Sequence, residues 1–296
     1  MNVGPRIKSP VSRIFYTDWK LLHIHLHPRV VQVARELLVN TYGSAKDPDF
    51  LHPFEPFSSV QAYVDRICWR LPDCIREEGG LGLHLDRNPV DPYLSAEAAA
   101  LAGKLVASEA PASTSSAAAA NKMPKGCTIR SGLGKWRPIQ AFVCLTDHFG
   151  GDSGGLRVVP GFHHRIDAYF KGKVSEGNGG EFYRMNSVQH DTLQRECQPV
   201  FASAGAMILW DTRTPHATAA KLAGSDTREV VYTGFLPDTQ LNRAYIKRQL
   251  EAIRQNKPAP AYEEQQPTAK VETSDRNWDE AQLTDEQKQL LGITKM

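Results

Sequence analysis

Apolar positions early in the chain recur with a helical period. Between Pro28 and Tyr42 they fall at Val30, Val33, Ala34, Leu37 and Leu38, with Gly43 as a stop, which predicts one amphipathic helix. Ser58–Leu71 repeats the spacing through Val60, Tyr63, Val64, Ile67 and Cys68. Ser58 or Ser59 is placed to cap a second helix there and Pro72 to end it. Between them, Leu22, Ile24 and Leu26 alternate with His23, His25 and His27. That alternation predicts a short strand with its apolar side buried and its histidines outward.

From Gly79 the texture changes to short β-type runs between turn residues. Gly82–Leu85, Pro138–Leu145, Gly155–Val159, Pro199–Phe201, Met207–Trp210 and Arg228–Phe235 all read as strands. Many short strands separated by Gly and Pro favour a sandwich or barrel over a parallel α/β sheet. The predicted class is therefore mainly β with flanking helices. Residues 1–78 form an N-terminal helical region on a core at 79–254, followed at 255–296 by a polar linker and a short C-terminal helix. That helix is expected at Leu283–Leu291, with Thr284 and Gln287 as a capping box and Gly292 as its stop. An Ala/Ser-rich stretch at 95–121 interrupts the core as an insertion.

Bulk properties change this picture little. The 296 residues suffice for one large domain, and 35 basic against 33 acidic side chains leave a formal charge of +2. No single-sign field points to nucleic acid or to a membrane surface. The longest apolar runs fall far short of the ~20 residues that span a bilayer, and the N-terminus has no apolar signal-peptide core. Five scattered cysteines without a Cys-x-x-Cys pair give no disulfide framework. An intracellular location, cytoplasmic by default, is the expectation. The terminal Thr294-Lys295-Met296 only loosely matches a peroxisomal address, which stays a lesser alternative.

The chemistry concentrates in His84-Leu85-Asp86, followed far downstream by His216 and then Arg228. On a strand, residues i and i+2 share a face, so His84 and Asp86 can hold one metal ion from adjacent positions. A histidine from a distant strand would complete a two-histidine, one-carboxylate face with open positions opposite, the arrangement of non-haem Fe(II) oxygenases. An arginine suits the far carboxylate of a bound keto diacid, because its fork of donors matches that group in bidentate geometry. Each residue also has a plain reading. The triplet stands before Asn88-Pro89 as a surface turn would, His216 can be a loop histidine, and Arg228 can pair with Asp226 or Glu229 on an edge strand.

Taken together, HLD at His84–Asp86, IQAFVCLTD at Ile139–Asp147, GGLRVVPGFHH at Gly154–His164, GAMILWDTRTPHAT at Gly205–Thr218 and REVVYTGFLP at Arg228–Pro237 resemble the phytanoyl-CoA dioxygenase-like family of Fe(II)/2-oxoglutarate oxygenases. The resemblance covers about half the chain in family order. It implies a double-stranded β-helix, a jelly-roll or cupin-like barrel. It implies Fe(II) on His84, Asp86 and His216, with 2-oxoglutarate as co-substrate held by Arg228. Thr218 matches a position whose hydroxyl contacts the co-substrate, and Gln140 is a further pocket residue. The implied reaction is hydroxylation with release of succinate and CO₂. Where the family often has Ser-His after the Pro-Gly turn, this chain has Phe162-His163-His164, and no acyl-CoA signal is legible. The substrate is expected to be a small or lipid-like molecule, a macromolecular one staying open.

Three other readings compete. GDSGG, Gly151–Gly155, is the string around a trypsin-like nucleophilic serine, but the base motif, secretion signal and paired cysteines of that family are missing. The segment reads better as a turn between strands. A catalytically inactive ligand-binding barrel of the same fold is the more serious alternative. Zinc on His23, His25 and His27, with His163 or His164 contributing, lacks a fourth ligand placed by spacing.

Overall fold

The computed structural model describes residues 16–44, 55–70, 81–86, 135–149, 154–170, 183–185, 188–219, 227–260 and 278–293. The insertion at 95–121, the polar stretch at 261–277 and Ser153 of the GDSGG string lie outside them.

Helix α1 (Asp18–Lys20) runs into a π-helical turn at Leu21–His25, and α2 spans Pro28–Tyr42. The turn replaces the expected strand at 22–27. Winding puts His25 inside at 0% exposure and leaves His23 and His27 outside, so the three histidines share no zinc-binding face. His27 caps α2 instead, its Nδ1 accepting the Arg29 N–H at 3.3 Å, and Pro28 opens the helix where no N–H is needed. The buried stripe of α2 is Val31, Ala34, Leu38 and Tyr42, rotated from the expected one; Val33 and Leu37 are exposed. Gly43 does end the helix. Its φ of −65° is ordinary, but a Cβ there would lie 2.4 Å from the Val39 carbonyl oxygen and 2.8 Å from that of Phe57. Close backbone approach, not a left-handed turn, requires the glycine.

The second expected helix is a strand. β1 (Val60–Arg70) is followed by β2 (His84–Leu85), β3 (Ile139–Cys144), β4 (Leu156–Val158), α3 (Ile166–Phe170), β5 (Tyr183–Arg184), α4 (Asp191–Glu196), β6 (Gln198–Pro199), β7 (Met207–Asp211), β8 (His216–Thr218), β9 (Arg228–Pro237), α5 (Gln240–Arg254) and α6 (Asp285–Leu290). The strands form two antiparallel sheets, ordered β1-β9-β3-β7 and β5-β2-β8-β4-β6. Among the described residues no ladder joins them into a closed barrel. The jelly-roll expectation therefore reduces to two facing antiparallel sheets with helices around them.

Three apolar layers hold this together. The outer face of the first sheet, through Ala62, Val64 and Phe235, packs on Leu21, Val31, Leu38, Trp278, Leu283 and Leu290. Cys68, Phe142, Cys144, Leu156 and Val230 fill the space between the sheets. Leu83, Leu85, Val159, Phe162, Phe170 and Leu193 pack in a third cluster around the second sheet. Each fully buried Leu or Phe contributes about 1.5–3 kcal/mol.

Edge strand β1 is closed by side chains. The Gln249 amide, 0% exposed on α5, accepts the Val64 N–H at 2.9 Å and donates to the Ala62 carbonyl at 2.8 Å, standing in for a neighbouring strand. The register of β1 on β9 shifts between Val64 and Ile67. At this bulge the buried Lys20 ammonium donates to the Asp65 carbonyl. Burial pushes the Lys20 ammonium down to about 7, against the pull of the Asp65 carboxylate. Helix α6 has the expected capping box of Thr284 and Gln287, and Gly292 at φ 72° lets the Ile293 N–H turn back to the Lys288 carbonyl. Among the described residues no helix is long and apolar enough to cross a membrane. Cys68, Cys144 and Cys197 are buried free thiols.

Candidate metal centre

The register of the second sheet builds the centre. β2 pairs antiparallel with β8, with His84 directly opposite His216, and their rings lie 4.3 Å apart between centroids. Asp86 follows β2 immediately. Its Oδ1 lies 3.4 Å from His84 Nε2 and its Oδ2 3.7 Å from His216 Nε2. The three expected ligands thus offer atoms within 4.8 Å of one another.

Tautomers are fixed from behind. His84 Nδ1 lies 2.7 Å from the Gly82 carbonyl and His216 Nδ1 3.1 Å from the Thr214 carbonyl. A carbonyl only accepts, so each Nδ1 carries a proton and each Nε2 faces Asp86. Both rings are buried, at 2% and 6% exposure. Burial alone would raise the Asp86 carboxyl, but hydrogen bonding and charge from His216 and His84 hold it well below the usual carboxylate range. The carboxylate is thus ionised and the donor set complete.

Gln140, expected as a further pocket residue, faces Asp86. From β3 its Nε2 donates to Asp86 Oδ2 at 2.6 Å, so it orients the carboxylate across the gap between the sheets. The Trp210 ring, 5.3 Å from that of His216, supports the other side.

Arg228 opens β9, an inner strand paired on both sides, so the edge-strand reading fails. The guanidinium is 2% exposed, lies 5.7 Å from the Phe142 ring centre and donates to the Cys68 thiol at 3.4 Å. It pairs with no carboxylate among the described residues, Glu229 included. Thr218 sits on β8 two residues after His216, its N–H bonded to the Leu81 carbonyl. The next carbonyl, that of Ala219, accepts from Arg70 Nη1 at 2.9 Å. The sequence reading did not single out Arg70. Only the β1–β9 register, which sets it opposite Arg228, brings it in.

Three buried polar atoms around the centre have no hydrogen-bond partner: Gln140 Oε1, Trp210 Nε1 and Arg228 Nε. Each such atom costs about 1–3 kcal/mol, which a polar ligand would recover. Two imidazoles, a carboxylate and the orphaned Trp210 and Arg228 donors fit a metal ion with open positions and an anionic co-ligand.

A comparison with curated proteins returned no match. Among solved structures, the chain is similar to GlcNAc Inducible Gene 2, GIG2 (DUF1479), from Candida albicans, at TM-score 0.70 and 16% identity over 99% of this chain and 68% of that one. It is similar to hypothetical protein JW0805 from Escherichia coli, at TM-score 0.67 and 17% identity over 96% and 70%. A weaker likeness, TM-score 0.36 at 14% identity over 76% and 72%, is to HygX from Streptomyces hygroscopicus with nickel and 2-oxoglutarate bound. The Gig2-like family model matches residues 8–293, and the chain belongs to the Gig2-like family.

Proposed function

We propose that the chain is a non-haem Fe(II)/2-oxoglutarate-dependent dioxygenase of the type its motifs resemble, hydroxylating a substrate brought to His84, Asp86 and His216. One observation carries the reading. Two histidine Nε2 atoms and an ionised carboxylate converge, in a fold whose buried Arg228 guanidinium pairs with no carboxylate among the described residues. His84, Asp86 and His216 would hold the metal, and Arg228 the far carboxylate of the keto acid. With both bound, one O₂ is consumed as 2-oxoglutarate goes to succinate and CO₂ and a substrate C–H becomes C–OH. The chain's own residues supply positioning. The Gly82 and Thr214 carbonyls hold the two imidazoles, Gln140 holds Asp86 in register, and Trp210 packs on both His216 and Phe142.

The test is an anaerobic titration of metal-free protein with Fe(II) and then 2-oxoglutarate, followed by the weak visible charge-transfer band of a chelated keto acid. The band is expected in wild type and absent in His216→Ala. A folded wild type that shows no band sinks the reading and favours a barrel that binds a ligand without turnover.

A further inference from the structure

We infer that Arg184 is a specificity residue, holding an anionic group of the primary substrate (a carboxylate or a phosphate ester) beside the metal centre; this rests on the oxygenase reading above. The register of the second sheet carries the argument. His84 of β2 stands between His216 of β8 on one side and Arg184 of β5 on the other, directly opposite both. Directly opposed side chains stand on the same face of a sheet, with Cβ atoms about 4.5–5.5 Å apart. Alternation along β5 gives the same result independently. Its other residue, Tyr183, pairs with Leu85, and both pack in the apolar cluster on the far face with Phe162, Phe170 and Leu193. Arg184 therefore points to the face that carries the two histidines.

Exposure sets this arginine apart from the ligands. His84 and His216 are buried, whereas Arg184 is exposed and the Asp86 side chain is 34% exposed. Among the described residues β5 is the outermost strand of its sheet, so the row runs from buried His216 through His84 to an exposed guanidinium at the edge. A substrate that approaches over this rim meets Arg184 one strand away from a metal ligand. A guanidinium presents five donors in a fixed fork that matches carboxylate and phosphate oxygens. Its charge is permanent, and its two neighbours on the row are imidazoles, which are neutral when they ligate a metal. Arg228 has a different place, buried on β9 of the other sheet. A co-substrate held there leaves Arg184 for the molecule whose C–H is oxidised.

The test uses Mn(II)-loaded protein saturated with 2-oxoglutarate under nitrogen, and three probes: phenyl phosphate, benzoate and neutral benzamide. Bound Mn(II) broadens the NMR lines of a probe that binds near it. Wild type is expected to broaden phenyl phosphate, benzoate or both, and not benzamide; which acid binds tells a phosphate from a carboxylate substrate. Arg184→Gln should weaken that binding at least tenfold, and Arg184→Lys should regain part of the loss. Mn(II) affinity, read from water-proton relaxation, should be the same in all three proteins, a split that a merely structural role would not give. Arg184 is exposed, so neither substitution removes core packing, and circular dichroism checks the fold. Equal binding in Arg184→Gln, equal broadening of benzamide, or no broadening of either acid overturns the anion subsite and leaves the metal reading standing. Failure of wild type to bind Mn(II), with His216→Ala behaving identically, overturns the metal reading and this inference with it.

Discussion

At the scale of single residues, the candidate centre is His84, Asp86 and His216 plus what aims them, and Gln140 is the most open to test. It spans the gap between sheets to hold Asp86 Oδ2 at 2.6 Å, while Asp86 itself is a third exposed and has two histidines to satisfy. Removing such a support costs about 10–100-fold in metal affinity. Gln140→Leu is therefore expected to weaken Co(II) binding, read from its visible absorption, by that factor without unfolding the protein. Unchanged affinity would mean that Asp86 is positioned by the histidines alone. The grouping of the candidate ligands could be anticipated from the sequence, since His84 and Asp86 stand at strand spacing and His216 follows a strand and turn. Their supports were not. The Gly82 and Thr214 carbonyls are backbone groups that no side-chain pattern encodes, and Gln140 was legible as a pocket residue but not in its role.

Among the elements, β1 shows why the pattern misled. Its buried positions include Val60, Ala62, Val64, Ile67, Cys68 and Arg70, and the register slips between Val64 and Ile67. A bulge inserts one extra residue and reverses the phase of alternation. Burial on both faces removes what alternation remained, and the sum imitates a helical period. Arg70 was lost from the reading with it, because only a strand puts it opposite Arg228. The same strand depends on α5 at its edge. Gln249→Leu keeps the volume but strands the Val64 N–H and the Ala62 carbonyl, both buried behind the helix. Two such groups cost about 3 kcal/mol together, to be read as a lowered urea midpoint. A loss below about 0.5 kcal/mol, the range of an ordinary surface change, would show that water reaches that edge.

For the molecule as a whole, alternation and turn residues made the β-rich class legible, and Thr284, Gln287 and Gly292 made the last helix legible to within two residues. How two sheets share their interior was not, because it depends on contacts between residues 50 to 160 positions apart. That interior holds histidines in a neutral state, which sets the response to acid. Burial and then the Arg228 charge push His148 down to about 4, against the pull of Asp147, and burial with Lys20 pushes His25 well below its ordinary value. A depressed histidine leaves the unfolded chain binding more protons between its folded and ordinary values. Stability therefore rises with pH through that window and is lost as pH falls from 6.5 toward 4. For His148, 1% exposed, the loss over the window is about 3 kcal/mol. His148→Leu removes the titrating group from the wall it shares with Phe142 and Cys144. The urea-unfolding free energy measured at pH 7 and at pH 4.5 should then differ by about 2 kcal/mol less than in wild type. An unaltered difference would mean that His148 takes up its proton in the folded protein, and that the Arg228 side of the interior is open to water.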